Sequence, residues 1–404
     1  MIHTSYWRPR VYPYNGDVTP AQIDRLQDIT ASITLNREKI REIGRDGTVS
    51  WRKRIPSTRV TLRQNEYGEI EFWQKLANMP SNDYEITLAD FKTAMVDICG
   101  YKTDDSGTFE GTVWYPKLRT SGFGINIGDP QAMIERTFDL VGEDEIILQG
   151  DNQYFMYKKF TAVGGSNETF TVIPEPTLDP DVSGADGYFL RVLRVSGGTT
   201  TELTYTTDYT YNPITYVLTV LSTTAADVIK VYYSSDDYLS GQTVFTNNDT
   251  DAGGISADCA SIFLYVAADN YVYRLQSVGI DVSFDRSDYY EIGNKEVVSR
   301  GIRENTVRVT LGRMVEAYTI EEVLRGQVAD YGKLNPREFG SANTLRVKVY
   351  GNNTKNTFNI GYKMTNLAPV TLDEGVPLND YNTRTTTLEG EDLTISSVEA
   401  TIDA

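Results

Sequence analysis

One histidine, His3, and two cysteines, Cys99 and Cys259, supply all the imidazole and thiol in the chain. A Ser-His-Asp or Cys-His system needs a nucleophile held against an imidazole, and His3 stands alone near the N-terminal end. No HExxH, CxxC or GxxxxGKS/T pattern occurs, so zinc hydrolysis, dithiol exchange and phosphate-loop chemistry lack their residues. Carboxylates remain. Asp104-Asp105 and Glu143-Asp144-Glu145 could form the acid and base of a glycosidase, but both lie in turn-like sequence. Asp179, Asp181 and Ser183 have the one-three-five oxygen spacing of a calcium loop, with Gly184 at the turn. Leu190 stands where such a loop needs its closing glutamate, so a polar turn is the first reading and calcium the second. No catalytic residue, no cofactor and no enzyme activity are expected.

What could position anything is a duplication. Residues 25–62 return as residues 274–311 without a gap, at an offset of 274 − 25 = 249. Arg25, Leu26, Gln27, Arg37, Glu42, Ile43, Gly44, Val49, Ser50, Arg59, Val60, Thr61 and Leu62 all recur, and repeats are settled before any other reading. Further on, residues 93–100 align with 344–351 at an offset of 251, which sets Cys99 against Tyr350 and makes the first hairpin loop the longer. Residues from 140 then align with those from 388 at 248. The unit is about 120 residues, an ordinary domain. The expected organisation is an N-terminal arm over 1–24, a first domain over 25–150, an insert over 151–254 and a second domain over 255–404.

Tyr, Thr and Val are abundant, which favours strand. Residues 28–35 alternate with period two: Ile29, Ala31, Ile33 and Leu35 on one face, Asp28, Thr30, Ser32 and Thr34 on the other. The second copy sets Val278, Ile280, Val282 and Phe284 against Ser277, Gly279, Asp281 and Ser283. A charged segment of about 20 residues follows in each copy, long for a connection and therefore a functional candidate. A returning strand carries Arg59, or Arg308 in the second copy. Ile70, Trp73, Leu76 and Ala77 then fall at helical spacing, as do Ile320, Val323 and Leu324, which predicts one helix per copy. Strands are expected over 94–98, 107–115, 132–140 and 145–148. The insert reads as short strands with turn signals, an immunoglobulin-like sandwich, with a polar linker at 162–168. The stretch from 1 to 22 reads as extended arm or loop, and the last residues as a tail with strand alternation.

The formal charge is −18, which gives a soluble surface that repels anionic membrane and naked nucleic acid. The start MIHTSYWRPR has no apolar run, so no secretory signal is expected, and no stretch is long and apolar enough to span a membrane.

The polar-faced strand, the long charged hairpin ending in Tyr290-Glu291-Ile292-Gly293-Asn294, the returning strand at 308–311 and the single helix together resemble the tail tube proteins of tailed bacteriophages. Weaker copies stand at 42–44 and 59–62. The resemblance implies a mainly β chain: two tandem tail-tube-like β-sandwich or barrel domains, each with one helix, plus the inserted immunoglobulin-like sandwich. It implies a structural virion protein, assembled in the host cytoplasm and resident in the tail, whose homotrimeric, pseudo-hexameric rings stack into a conduit for genome ejection. Partners would be further copies of itself, tape-measure, tail terminator and baseplate proteins, and phage DNA passing without specificity. The expected negatively lined lumen would carry Asp28, Thr30, Ser32, Thr34, Ser277, Asp281 and Ser283. Ring stacking would use Arg41, Glu42, Arg45, Asp46, Trp51, Arg52, Lys53 and Arg54, and from the second copy Tyr290, Glu291, Asn294, Lys295 and Arg300. A baseplate hub or distal tail protein is the first alternative, and a carbohydrate-binding β-protein, favoured by the many aromatic residues, the second.

Overall fold

The computed structural model describes residues 7–41, 50–53, 56–103, 109–129, 131–149, 154–178, 185–236, 254–265, 269–272, 275–289, 299–315, 319–324, 339–340, 342–375 and 382–404. Strand dominates and helices are short and few.

The first copy runs β1 (Trp7–Pro13), β2 (Ala21–Gln22), β3 (Leu26–Thr34), β4 (Arg37–Ile40), β5 (Ser50–Lys53), β6 (Ser57–Asn65), α1 (Glu71–Ala77), β7 (Glu85–Thr87), α2 (Asp90–Thr93), β8 (Val96–Thr103), β9 (Phe109–Ile127), β10 (Glu135–Gly142) and β11 (Ile146–Gln149). The insert contributes β12 (Tyr154–Thr161), β13 (Gly165–Thr171), β14 (Arg191–Ser196), β15 (Thr199–Glu202), β16 (Tyr209–Asn212), β17 (Val217–Thr223) and β18 (Val228–Ser235). The second copy runs β19 (Ala260–Tyr265), β20 (Asp269–Tyr271), β21 (Leu275–Tyr289), β22 (Ser299–Met314), α3 (Thr319–Leu324), β23 (Asn343–Tyr350), β24 (Phe358–Gly375), β25 (Thr383–Gly390), β26 (Asp392–Ser396) and α4 (Glu399–Asp403).

Pairing follows one scheme twice. In the first copy β2-β1-β8-β9-β11 forms an outer sheet. In the second, β20-β19-β23-β24-β26 does the same. The long strands β9 and β24 then cross to an inner sheet, where their C-terminal halves pair with β10 and β25. The inner sheet is shared, in the order β3-β6-β10-β9-β21-β22-β25-β24, four strands from each copy, joined where β9 meets β21. A second seam forms where β7 of the first copy pairs with β26 of the second.

Alternation puts one face of the inner sheet into the core. Val60, Leu62, Phe138, Leu140, Ile280, Val309 and Leu388 are all fully buried there. The helix closes the first copy from below. Trp73 is fully buried, its ring edge-on to Phe123 and Phe138 at 4.9 and 4.8 Å. Helix α1 ends at Asn78, which adopts the left-handed conformation a helix stop needs. Both helices expected from spacing are present, at α1 and α3.

Several expectations are corrected. The N-terminal stretch is not loop: Trp7–Pro13 is a strand laid along β8, with Val11 in the core. The final residues end in a helix, α4, whose Ile402 packs over Gly361. Strand β9 runs to Ile127, well past the expected end, because it serves both sheets. The alignment of β8 with β23 is displaced by four residues. Ile98 pairs with Tyr115, and Leu345 pairs with Met364, so the structural offset is 345 − 98 = 247 rather than 251. Cys99 therefore matches Arg346, not Tyr350, and the second hairpin is the longer one. Apolar alternation cannot detect a slip by an even number of residues, because the same face stays inward.

The insert is a two-sheet sandwich, β12-β18-β14-β15 over β13-β17-β16, with Phe170, Val192, Leu218 and Val231 in its core. Its first strand pairs with its last, which departs from the strand order of an immunoglobulin domain. The supposed linker at 162–168 is the turn into β13 and the start of that strand.

Candidate functional site

The chemistry-bearing residues are not brought together. Cys99 and Cys259 are buried, unpaired thiols, and burial pushes the Cys99 thiol well up. Among the described residues no three His, Cys, Asp or Glu side chains gather as a metal site. His3, Asp104, Asp105, Asp179, Asp181 and Ser183 lie outside the described residues.

What stands out is the inner sheet's two ends and its middle. In the middle, β9 and β21 pair from Val278↔Ile127 to Ser283↔Gly122. Gly122 permits the close approach: a Cβ there would lie 2.7 Å from the Val282 carbonyl. Arg286 fastens the seam. Its Nε donates to the Thr120 carbonyl at 2.6 Å and its Nη2 to the Phe91 carbonyl, within α2, at 3.0 Å. Phe284 packs beside Phe91 and Phe123 at 6.2 and 6.3 Å.

At the two ends, β3 and residues 368–375 of β24 have no further strand beside them among the described residues. The apolar face of β3 is accordingly bare toward its C-terminal end, while Leu26 and Ile29 still pack against the core. Ile33 is 37% exposed and Leu35 56%, where their counterparts Val282 and Phe284 are 3% and 4% exposed. The outer sheet repeats the contrast. Ile147 on β11 is 61% exposed, while Ile395, its counterpart on β26, is 1% exposed because β7 covers that edge.

The opposite face of the inner sheet is small and polar. Register sets Thr30 beside Thr61, Thr61 beside Asp139 and Asp139 beside Gly122, then across the seam Gly124 beside Asp281. Asp28, Thr30, Ser32, Thr34, Ser277, Asp281 and Ser283 thus share one face of one sheet. The face is not simply acidic. Asp28 lies opposite Arg63, and Asp281 opposite Arg308. Arg308 Nε in turn donates to Glu389 at 2.8 Å. Partial burial raises the Asp281 carboxyl, and Arg308 opposes that shift. A groove of about 710 Å³ runs along the seam on this face, lined in part by Gly124, Asn126, Gly279 and Asp281.

Of the stacking candidates, Arg41 is exposed, and Trp51 is exposed with the Lys39 ammonium 5.2 Å over its ring. Arg52 and Lys53 fall on β5 and Arg300 on β22. Glu42, Arg45, Asp46, Arg54, Tyr290, Glu291, Asn294 and Lys295 lie outside the described residues.

The sequence reading missed how the outer sheets are covered. The insert sits on the first through Tyr12, Cys99, Tyr101, Trp114, Leu148 and Tyr232. Arg191 of the insert is buried against the Asp97 carboxylate and stacks over Tyr14, Trp114 and Tyr232 at 4.9, 5.1 and 4.5 Å. Lys230 donates to the carbonyls of Pro13 and Tyr14 at 3.0 and 3.3 Å, and desolvation lowers its pKa to about 8. On the second outer sheet, helix α4 takes the covering role. Lys348, which matches Tyr101 (101 + 247 = 348), meets Glu399 at 3.1 Å and Asp403 at 2.6 Å.

No protein-family model matches the chain, and no curated protein does. Solved structures show a distant likeness, and two of them contain tube components. One is the sheath–tube complex of an extracellular contractile injection system, PVC, in the extended state, at 14% identity over 40% of this chain and 100% of that one, with a TM-score of 0.27. The other is the tube-terminating cap of the anti-feeding prophage, at 13% identity over 41% of this chain and 98% of that one, also with a TM-score of 0.27. At that score neither likeness defines a fold or a function for this chain.

Proposed function

We propose that the protein is a structural subunit of a phage tail that closes into rings through the two open ends of its inner sheet, the rings stacking into a tail tube. One observation carries the reading: the end of β3 leaves bare Ile33 and Leu35, whose counterparts in the second copy are buried, and a strand end with no neighbour among the described residues lies at the other side of the same sheet. Exposed strand edges template further pairing unless something covers them. Closure removes both edges at once.

Three chains would bring 3 × 8 = 24 strands to the inner sheet, because each copy contributes four. Barrels of 16 strands or more enclose an aqueous channel. The polar face, with Asp28, Thr30, Ser32, Thr34, Ser277, Asp281 and Ser283, would then line the lumen, and the apolar face would stay in the subunit cores. Glycine, serine and threonine bring no positive charge to the DNA phosphates. Of the arginines on that face, Arg63 lies opposite Asp28 and Arg308 opposite Asp281, which tempers their pull on a sliding polyanion, while Arg59 lies opposite Ser32. The hairpins β4–β5 and the distal part of β21–β22 would project toward the next ring, and the insert would lie outside. Tape-measure, terminator and baseplate proteins would be its partners in the virion.

Electron microscopy with light scattering tests this on the purified protein. Rings of three 45.3 kDa chains, and tubes built from them, are expected. A monodisperse monomer at every concentration contradicts the reading. Rings that never stack would move the protein to a single-ring position, such as a baseplate hub.

A further inference from the structure

We infer that Arg37 is the residue with which one copy of this chain fastens onto the next, its guanidinium donating to the main-chain carbonyl of Pro369 in the neighbouring copy. The inference rests on the ring reading above and adds to it a register and a contact.

The hairpins establish the equivalence. Arg286 pairs with Ile302 in the second copy, and Arg37 pairs with Lys53 in the first; both members differ by 249 (286 − 37 and 302 − 53). Arg37 thus occupies the place of Arg286, the residue that holds the in-chain seam through the Thr120 carbonyl. On the acceptor side, Thr120 pairs with Leu140 just past a bulge, and Pro369 pairs with Leu388 just past the matching bulge. Pro369 is therefore the counterpart of Thr120 (120 + 249). Proline has no N–H, but its carbonyl accepts as any other does. Arg37 is exposed in the single chain.

Carrying the in-chain pairs across gives the strand register. Ser283↔Gly122 becomes Thr34↔Thr371, Val282↔Phe123 becomes Ile33↔Leu372, and Asp281↔Gly124 becomes Ser32↔Asp373. No like charges fall opposite one another. Residues 371–375 are exposed or half-buried, whereas Gly122, Phe123 and Ile125 at the in-chain seam are buried. One difference matters. Thr371 stands where Gly122 lets β9 come close, so the seam between copies is looser than the seam within one, and the arginine clasp bears more of its strength.

Two experiments on the full chain test this separately from the ring reading. In the first, Ser32→Cys and Asp373→Cys are combined. Paired strands bring Cα atoms to about 4.5–5.5 Å, within disulfide range, so oxidation should give covalent oligomers. Ala31→Cys with Asp373→Cys should not, because one residue of slip sends the thiols to opposite faces. In the second, dilution series compare native protein with Arg37→Ala and Arg37→Lys. Both substitutions should weaken association about tenfold, because lysine keeps the charge but loses the planar fork. Circular dichroism should be unchanged. Native-like association of Arg37→Ala, or full rescue by Arg37→Lys, overturns the clasp while cross-linked oligomers leave the ring standing. Cross-linking by the Ala31 pair in place of the Ser32 pair overturns the register. No association and no cross-link in any variant overturns the ring itself.

Discussion

Val282 and Ile33 hold the same place in two copies of one strand, and so do Phe284 and Leu35. The first of each pair is sealed against β9, and the second faces water. The sequences of the two strands differ little in kind, so the contrast is one of neighbours. Within a chain the first copy covers the second, and among the described residues nothing covers the matching end of the first. The outer sheets repeat that contrast at one edge and add another on their faces: both faces are covered, but by unlike partners, and their surfaces have diverged to match. Tyr101, Cys99 and Trp114 under the insert correspond to Lys348, Arg346 and Lys363 in the second copy, where Lys348 meets the acids of α4 (101 + 247, 99 + 247 and 114 + 249). A shared inner surface is kept alike while private outer surfaces drift. That pattern is expected where the inner surface must meet its own copies.

The comparison can be broken most forcefully at the aromatic seam. Phe284→Ala should destabilise the dilute single chain by about 3–5 kcal/mol, the cost of emptying a buried aromatic site. Leu35→Ala, at the matching but bare position, should change it by no more than about 0.5 kcal/mol, yet weaken association. Denaturant unfolding below and above the assembly concentration checks both. Equal losses in the dilute chain would mean that β3 is already covered.

The unlike covers give the next largest effect. Arg191→Met strands the Asp97 carboxylate in the interface with the insert and should cost about 3–5 kcal/mol. Lys348→Met breaks contacts to partly exposed Glu399 and Asp403 and should cost about 1 kcal/mol or less. Thermal unfolding of the two variants ranks them.

Alkaline pH should loosen the insert side first. Burial raises the hydroxyls of Tyr12, Tyr101 and Tyr232 far above the ordinary tyrosine value of 10.0. The unfolded chain therefore releases these protons near pH 10 while the folded chain holds them. Stability is intact below that pH and falls as pH rises above it. Lys230 acts in the opposite sense between about pH 8 and 10.5, since its lowered pKa makes the folded state lose its proton first. A pH series followed by tyrosine absorbance should show a gain that is small, then a steep loss. Tyr232→Phe should delay the loss.

The smallest effect on stability belongs to the polar face. Asp28→Lys with Asp281→Lys should leave the fold and the rings intact and slow DNA passage, read as delayed genome ejection. Unchanged ejection would remove those residues from the lumen.

The inner sheet was largely legible in the sequence because its alternation and its ungapped repeat report the same strands twice. Asp28 and Asp281 were placed on the polar face by period two alone. Their arginine partners were not, because cross-strand neighbours depend on register. Period two also hid the shift at β8, where four residues leave Ile98 and Leu345 equally inward. The short N-terminal strand carries two prolines, Pro9 and Pro13, and its broken pattern reads as loop. Prolines are tolerated there because the ladder to β8 continues around them. The Arg191–Asp97 pair joins residues 94 apart in sequence, on two different sheets, and no local signal marks such a contact.

Hydrogen exchange on β3 tests the central claim most directly. With the protein dilute, the outward-edge amides of residues 26–34 should exchange fast while those of β21 stay protected. In assembled particles β3 and residues 371–375 should become protected together. Rapid exchange of β3 in fully assembled particles, with its edge still open to water, would contradict the account.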